Sequence, residues 1–163
     1  MAPPTNPDDI ELARHAAALA DGIERALPGW VAAAVARVAD AWRPGLAREL
    51  APAALEAGHA AAADVGPRVR ALLLADVDDQ VQGPLALVRE AVRHPTGVLA
   101  GAGVGPVVRD EFEARAFPDD VYGLAPASFA DLDPPLGELG VVWGAAKAHV
   151  VLRRRRPASG PPG

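Results

Sequence analysis

The side chains able to do chemistry in this sequence are acidic, basic and aromatic, and few stand at spacings that a reaction requires. Asp76, Asp78 and Asp79 form an acidic cluster, with Asp64 upstream. On a helix Asp76 and Asp79 share a face, which is how carboxylates begin to converge on a hard cation. No calcium-loop pattern surrounds them, so a solvated polar face is the expected role. Asp119 and Asp120 follow Pro118 and suit a helix first turn, where carboxylates meet unpaired amides. His15, His59, His94 and His149 are the four histidines, and no two stand at i,i+4, so no helix-borne zinc pair is expected. Ser128 precedes Phe129, Ala130 and Asp131 at the spacing of a capping box, not of a nucleophile elbow.

Gly101, Gly103 and Gly105 are spaced G-x-G-x-G and followed by Pro106. A dinucleotide fingerprint needs G-x-G-x-x-G, and a P-loop needs a Lys-Ser/Thr pair. A connector or tight helix contact is the simpler reading. The sequence has no cysteine, which removes disulfides, thiolate nucleophiles and cysteine metal sites. These spacings assign no catalytic residue, no metal and no cofactor, and they weigh against an enzyme.

The richest segment runs from Leu136 to Leu152. Leu139, Trp143, Ala146 and Val150 make a stripe of helical spacing, and Gly140, Gly144 and Ala148 make a smooth ridge beside it. Glycine inside a helix costs about 1 kcal/mol relative to alanine, so a close neighbour on that ridge is expected, within the chain or in a partner. Lys147, the sole lysine, and His149 flank the stripe. With Tyr122, Trp143, Asp119 and Asp120 they are the residues of an alternative pocket between segment 117–135 and this helix. Arg153, Arg154, Arg155 and Arg156 follow. They complement the negative end of a helix dipole, or bind an acidic protein surface, or bind phosphates.

The elements that position these residues read as helices. The composition is 50% hydrophobic and only 4% aromatic, with a heavy alanine content that suits close-packed helices. Asn6, Pro7, Asp8 and Asp9 open a helix predicted over 7–27, with Leu12, Ala16, Leu19, Ile23 and Leu27 inward. Pro28-Gly29 is expected to break it. Trp30 then opens a second helix burying Val31, Val35, Val38 and Trp42, ended by Arg43-Pro44-Gly45. The Pro-Gly-apolar recurrence at 28–30 and 44–46 is read as two helix starts, not a duplication. A helix over 52–63 is expected to end at Gly66-Pro67. The stripe Val69, Leu73, Val77, Val81, Leu85, Val88, Val92 then predicts a long helix kinked near Gly83-Pro84. A helix over 106–117 with Val108, Phe112 and Ala116 inward precedes an irregular segment to Pro135. The last helix has Asp133 as N-cap and Pro134 at its first position, and reaches about Arg155. The expectation is an all-α, single-domain bundle of about six helices over 1–156, with a disordered tail over 157–163.

The segment Phe117-Pro-Asp-Asp-Val-Tyr-Gly-Leu-Ala-Pro-Ala-Ser-Phe-Ala-Asp-Leu-Asp, with Trp143-Gly-Ala-Ala-Lys-Ala-His149 and the arginine run, resembles uncharacterised small helical proteins of actinobacteria. The resemblance covers about the last forty residues and implies no activity, so it transfers no site residue. The most apolar window, 97–108, falls short of the ~20 residues that span a bilayer. The opening residues do not read as a secretory signal, so the expected compartment is the cytoplasm. A net charge of −5 opposes attraction of the whole surface to nucleic acid. Expected first is a non-enzymatic interaction protein, engaging a protein partner or a second copy through its last helix. The alternatives are a small-molecule binder or enzyme using the pocket above, and nonspecific nucleic-acid association through residues 153–156.

Overall fold

The computed structural model describes residues 6–156, and every regular element among them is helical. The expected tail over 157–163 lies outside the described residues, as do residues 1–5 of the proline-rich opening.

Helix α1 spans Pro7–Trp42 and starts as the sequence predicts, with the Asn6 side chain accepting from the Asp8 amide at 2.9 Å. It does not break at Pro28-Gly29, which lie inside it. An internal proline costs about 3 kcal/mol. Burial on both sides of this one offsets the cost, since Leu27, Trp30, Val31 and Val35 are all in the core. Trp42, expected inward, is 56% exposed at the helix end, where Gly105 faces its ring.

Gly45, at φ +87°, turns the chain after α1 in the left-handed conformation that glycine adopts without strain. Only this Pro-Gly makes a turn, so the two copies of the pattern have different roles. Helix α2 spans Leu46–Leu74 and carries both Pro52 and Pro67 internally, so the expected break at Gly66-Pro67 is also absent. It runs antiparallel to α1, and the two form the most extensive helix contact. A Cβ on Gly58 would stand 2.8 Å from the Pro28 carbonyl oxygen, so the helices meet backbone to backbone where a break was expected. Arg70 of α2 fastens the pair, with Nε on Glu24 Oε1 at 2.9 Å and a second bond to Asp21.

The long stripe predicted from Val69 to Val92 is interrupted. After Leu74 come a 3-10 turn, Val77–Asp79, and a loop in which Val81 is 94% exposed. The buried pattern resumes in α3, Pro84–Arg89, a turn at Glu90–Val92, and α4, Arg93–Gly101. Val88, Val92 and Leu99 bury there. His94-Pro95-Thr96 and the first glycines of the 97–105 stretch are therefore helical.

Helix α5 is only Glu111–Ala116, and Val108 and Phe112 face solvent instead of the core. The reason lies upstream. The Tyr122 hydroxyl donates to the Val104 carbonyl at 2.7 Å, and the Val107 amide donates to the Val121 carbonyl at 3.1 Å. These bonds hold residues 104–107 outside any helix and start α5 late. Helix α6, Pro135–Arg155, begins one residue later than predicted and lies antiparallel along α1.

Two glycine substitutions test the continuous α1 and its contact with α2. At Gly29 nothing lies within 4 Å of an added Cβ. Gly29→Ala should raise unfolding stability by about 1 kcal/mol through helix propensity alone. Gly58→Ala should lower it by about 1 kcal/mol or more, because overpacking against backbone outweighs that gain. Denaturant unfolding reads both. A loss at Gly29 would place a break there after all.

Candidate functional site

The inner side of α6 is built by the stripe Leu136, Leu139, Trp143, Ala146, Val150 and Arg153. Leu136, Trp143 and Val150 are buried, and Leu139 and Ala146 pack against the core. Gly22 of α1 receives the Leu136 side chain, with Leu139 beside it. At the other end Arg153 reaches back to the start of α1, with Nη1 on Asp8 Oδ2 at 3.1 Å and Nη2 on Asp9 Oδ1 at 3.2 Å.

Arg154 crosses to the acidic cluster. Its Nη1 lies 2.6 Å from Asp76 Oδ1 and 3.1 Å from Asp78 Oδ2. Neither Asp76 nor Asp79 lies on an α-helix: Asp79 ends the 3-10 turn and Asp76 precedes it. Asp76 caps the 3-10 turn through the Asp78 amide, and the Arg154 guanidinium with that amide holds its carboxyl below the usual aspartate range. Asp64 belongs elsewhere, between α2 and α4. It pairs with His94 at 3.0 Å and with Arg93, and its carboxyl is lowered first by the His94 hydrogen bond and further by Arg93. Half of the arginine run is thus taken up inside the chain. Within the run, only Arg155 and Arg156 have no carboxylate partner among the described residues. With Arg155 and Arg156 left to meet phosphates, the salt slope for nucleic acid would be about −2.

The other expected site residues are dispersed. Tyr122 is buried, its hydroxyl is spent on Val104, and burial pushes its pKa up. Trp143 is buried with its ring 5.2 Å from Lys147 Nζ, a cation–π pair within one helix. His149 is exposed and stands 3.4 Å from Asp8. Asp120, expected in a helix first turn, instead accepts from the Leu124 and Ala125 amides at 2.7 and 2.9 Å within a loop. The Asp131 carboxylate accepts from the amides of Ala127 and Ser128. No cluster among the described residues offers the His, Cys, Asp and Glu side chains to hold a metal.

A cleft of about 740 Å³ does exist, but no residue of α6 lines it. Arg89, Thr96, Ala100, Phe117 and Asp119 line it, and none of Tyr122, Trp143, Lys147 and His149 does. The Arg89 guanidinium lies 5.5 Å over the Phe117 ring, and its Nε donates to Pro126 O at 3.0 Å.

The ridge of small residues divides. Gly140 is covered within the chain, since a Cβ there would stand 2.5 Å from Phe129 Cδ2. Gly144 is open, with nothing within 4 Å, and Ala148 is exposed. Around them the outward side of α6 is apolar: Val141 is 71% exposed, Leu152 61%, and Val142 and Ala145 are exposed as well. The glycines are legible in the sequence but this face is not, because both sides of α6 carry apolar residues and spacing does not say which side is covered. No helix among the described residues is long and apolar enough to cross a membrane. Comparison with protein-family models, curated proteins and solved structures returns no match to the chain, so no family is shown.

Two outcomes follow for stability. Asp64 and Asp76 have lower pKa values folded than unfolded, so their stabilisation is complete above the ordinary aspartate pKa of about 4 and is lost as pH falls through and below it. The melting temperature should fall on acidification, and Asp64→Asn should lower it at neutral pH while flattening that fall. Arg153→Ala with Arg154→Ala should cost roughly 1–2 kcal/mol, whereas Arg155→Ala with Arg156→Ala should leave thermal unfolding within about 0.5 kcal/mol of the parent.

Proposed function

We propose that this chain is a non-enzymatic interaction protein, a single helical domain of the cytoplasm, that associates with a second copy of itself through the outward face of α6. The observation that carries the reading is the uncovered apolar surface at Gly144. A helix with apolar residues on two opposite sides needs two partners. Helix α1 and the Phe129–Asp131 turn cover one side of α6. The other side is contiguous and uncharged from Val141 to Ala148, and contiguous exposed apolar surface of this kind marks interaction sites. The engagement of Tyr122, Asp120, Asp131 and His94 in structural hydrogen bonds supports the non-enzymatic part.

Light scattering after size exclusion should give a mass above that of the monomer, rising with concentration. Gly144→Leu should return the protein to monomer without loss of helicity, since an added Cβ has nothing within 4 Å and leucine favours the helix over glycine. A strictly monomeric parent at all concentrations contradicts the proposal.

The cleft beside Phe117 favours a second reading, an apolar small molecule held between α4 and residues 116–120. An apolar fluorescent dye whose signal is unchanged by Ala100→Trp, which fills the cleft, would remove it.

A further inference from the structure

The outward face of α6 has a strict register. Glu138, Val141, Ala145, Ala148, Leu152 and Arg155 are all exposed, and their spacings alternate three, four, three, four, three. That is the a/d spacing of a two-helix seam. The inner stripe from Leu136 to Arg153 has the same alternation two residues earlier, so the seams lie on nearly opposite sides of one helix. Resting on the self-association proposed above, we infer that two α6 helices pair antiparallel about a two-fold axis between Ala146 and Lys147.

In that arrangement Val141 faces the partner's Leu152, Ala145 faces the partner's Ala148, and Glu138 faces the partner's Arg155. Each contact occurs twice, as two-fold symmetry requires. The central layers are alanine, with open Gly144 beside them, so the helices approach most closely at the axis. A larger aliphatic pair, Val141 with Leu152, closes each side. Glu138 and Arg155 make no ion pair within the chain among the described residues, and antiparallel pairing neutralises both. It also sets the first turn of each α6 against the basic last turn of the other, which suits both helix dipoles.

A parallel pairing puts Glu138 against Glu138 and Arg155 against Arg155. Charge therefore selects the antiparallel form. The seam is about 25 Å long at 1.5 Å per residue and about 10 Å wide, a footprint of roughly 250 Å² that is well short of the roughly 800 Å² per partner of a standard interface. The dimer is accordingly weak, half-dissociated in the micromolar range or above.

Cysteine crosslinking tests the register, because the natural sequence has no cysteine to interfere. Val141→Cys and Leu152→Cys proteins, mixed and oxidised, should give the mixed disulfide far in excess of either like-with-like product. Glu138→Arg should weaken association about tenfold, and adding Arg155→Glu in the same chain should restore it. If light scattering shows dimers but crosslinks form like with like, the antiparallel register is overturned while self-association stands. If no concentration yields dimers, both fall. Thermal unfolding of each variant, expected to stay within about 1 kcal/mol of the parent because these side chains are exposed and a charge in a terminal turn is worth less than that, separates lost association from lost folding.

Discussion

The rotation of α6 about its own axis decides which side of this protein is available to others, and two contacts with α1 set it. At one end Leu136 enters the space left by Gly22. At the other, Arg153 meets Asp8 and Asp9. Between these points Trp143 and Val150 are committed inward. Residues two positions along the helix are then turned outward by geometry alone. Burial of Leu136 and Val150 supplies most of the favourable free energy, and the partly exposed ion pairs add direction more than strength. Arg154, bound to Asp76 and Asp78, extends the fastening to the end of α2.

The same economy of small residues appears wherever helices meet. Gly58 lets α2 touch α1 at Pro28, and Gly140 gives room to the Phe129 ring. Gly144 has no such neighbour. Gly29 and Gly97 are equally open within their helices, and what sets Gly144 apart is the exposed apolar surface of Val141, Val142 and Leu152 on its own helix.

Helix starts were legible where the signals are local. Asn6, Pro7, Asp8 and Asp9 mark the start of α1, and Pro134 and Pro135 mark that of α6 within a residue. Helix boundaries drawn at prolines were not. Pro28, Pro52 and Pro67 all sit inside helices, because burial along α1 and α2 outweighs a cost that local propensity treats as decisive. Residues 106–110 failed for the same class of reason, since Tyr122 and Val121 claim the neighbouring backbone from a distance no periodicity reveals. Of the candidate site, the inward stripe of the last helix was visible at Trp143 and Val150. The partition of its ridge was not, because Phe129 covers Gly140 through a loop whose path the sequence leaves open. The arginine run likewise showed its charge but not its partners, which lie 76 to 145 residues away.

The central claim is that the outward face of α6 is where copies of this protein meet. Backbone amide NMR spectra of the full chain at low and high concentration test it residue by residue. The account predicts that concentration-dependent shifts cluster at Val141, Gly144, Ala145, Ala148 and Leu152. Shifts centred instead on Val108 and Phe112 beside α5, or spectra unchanged with concentration, would contradict it.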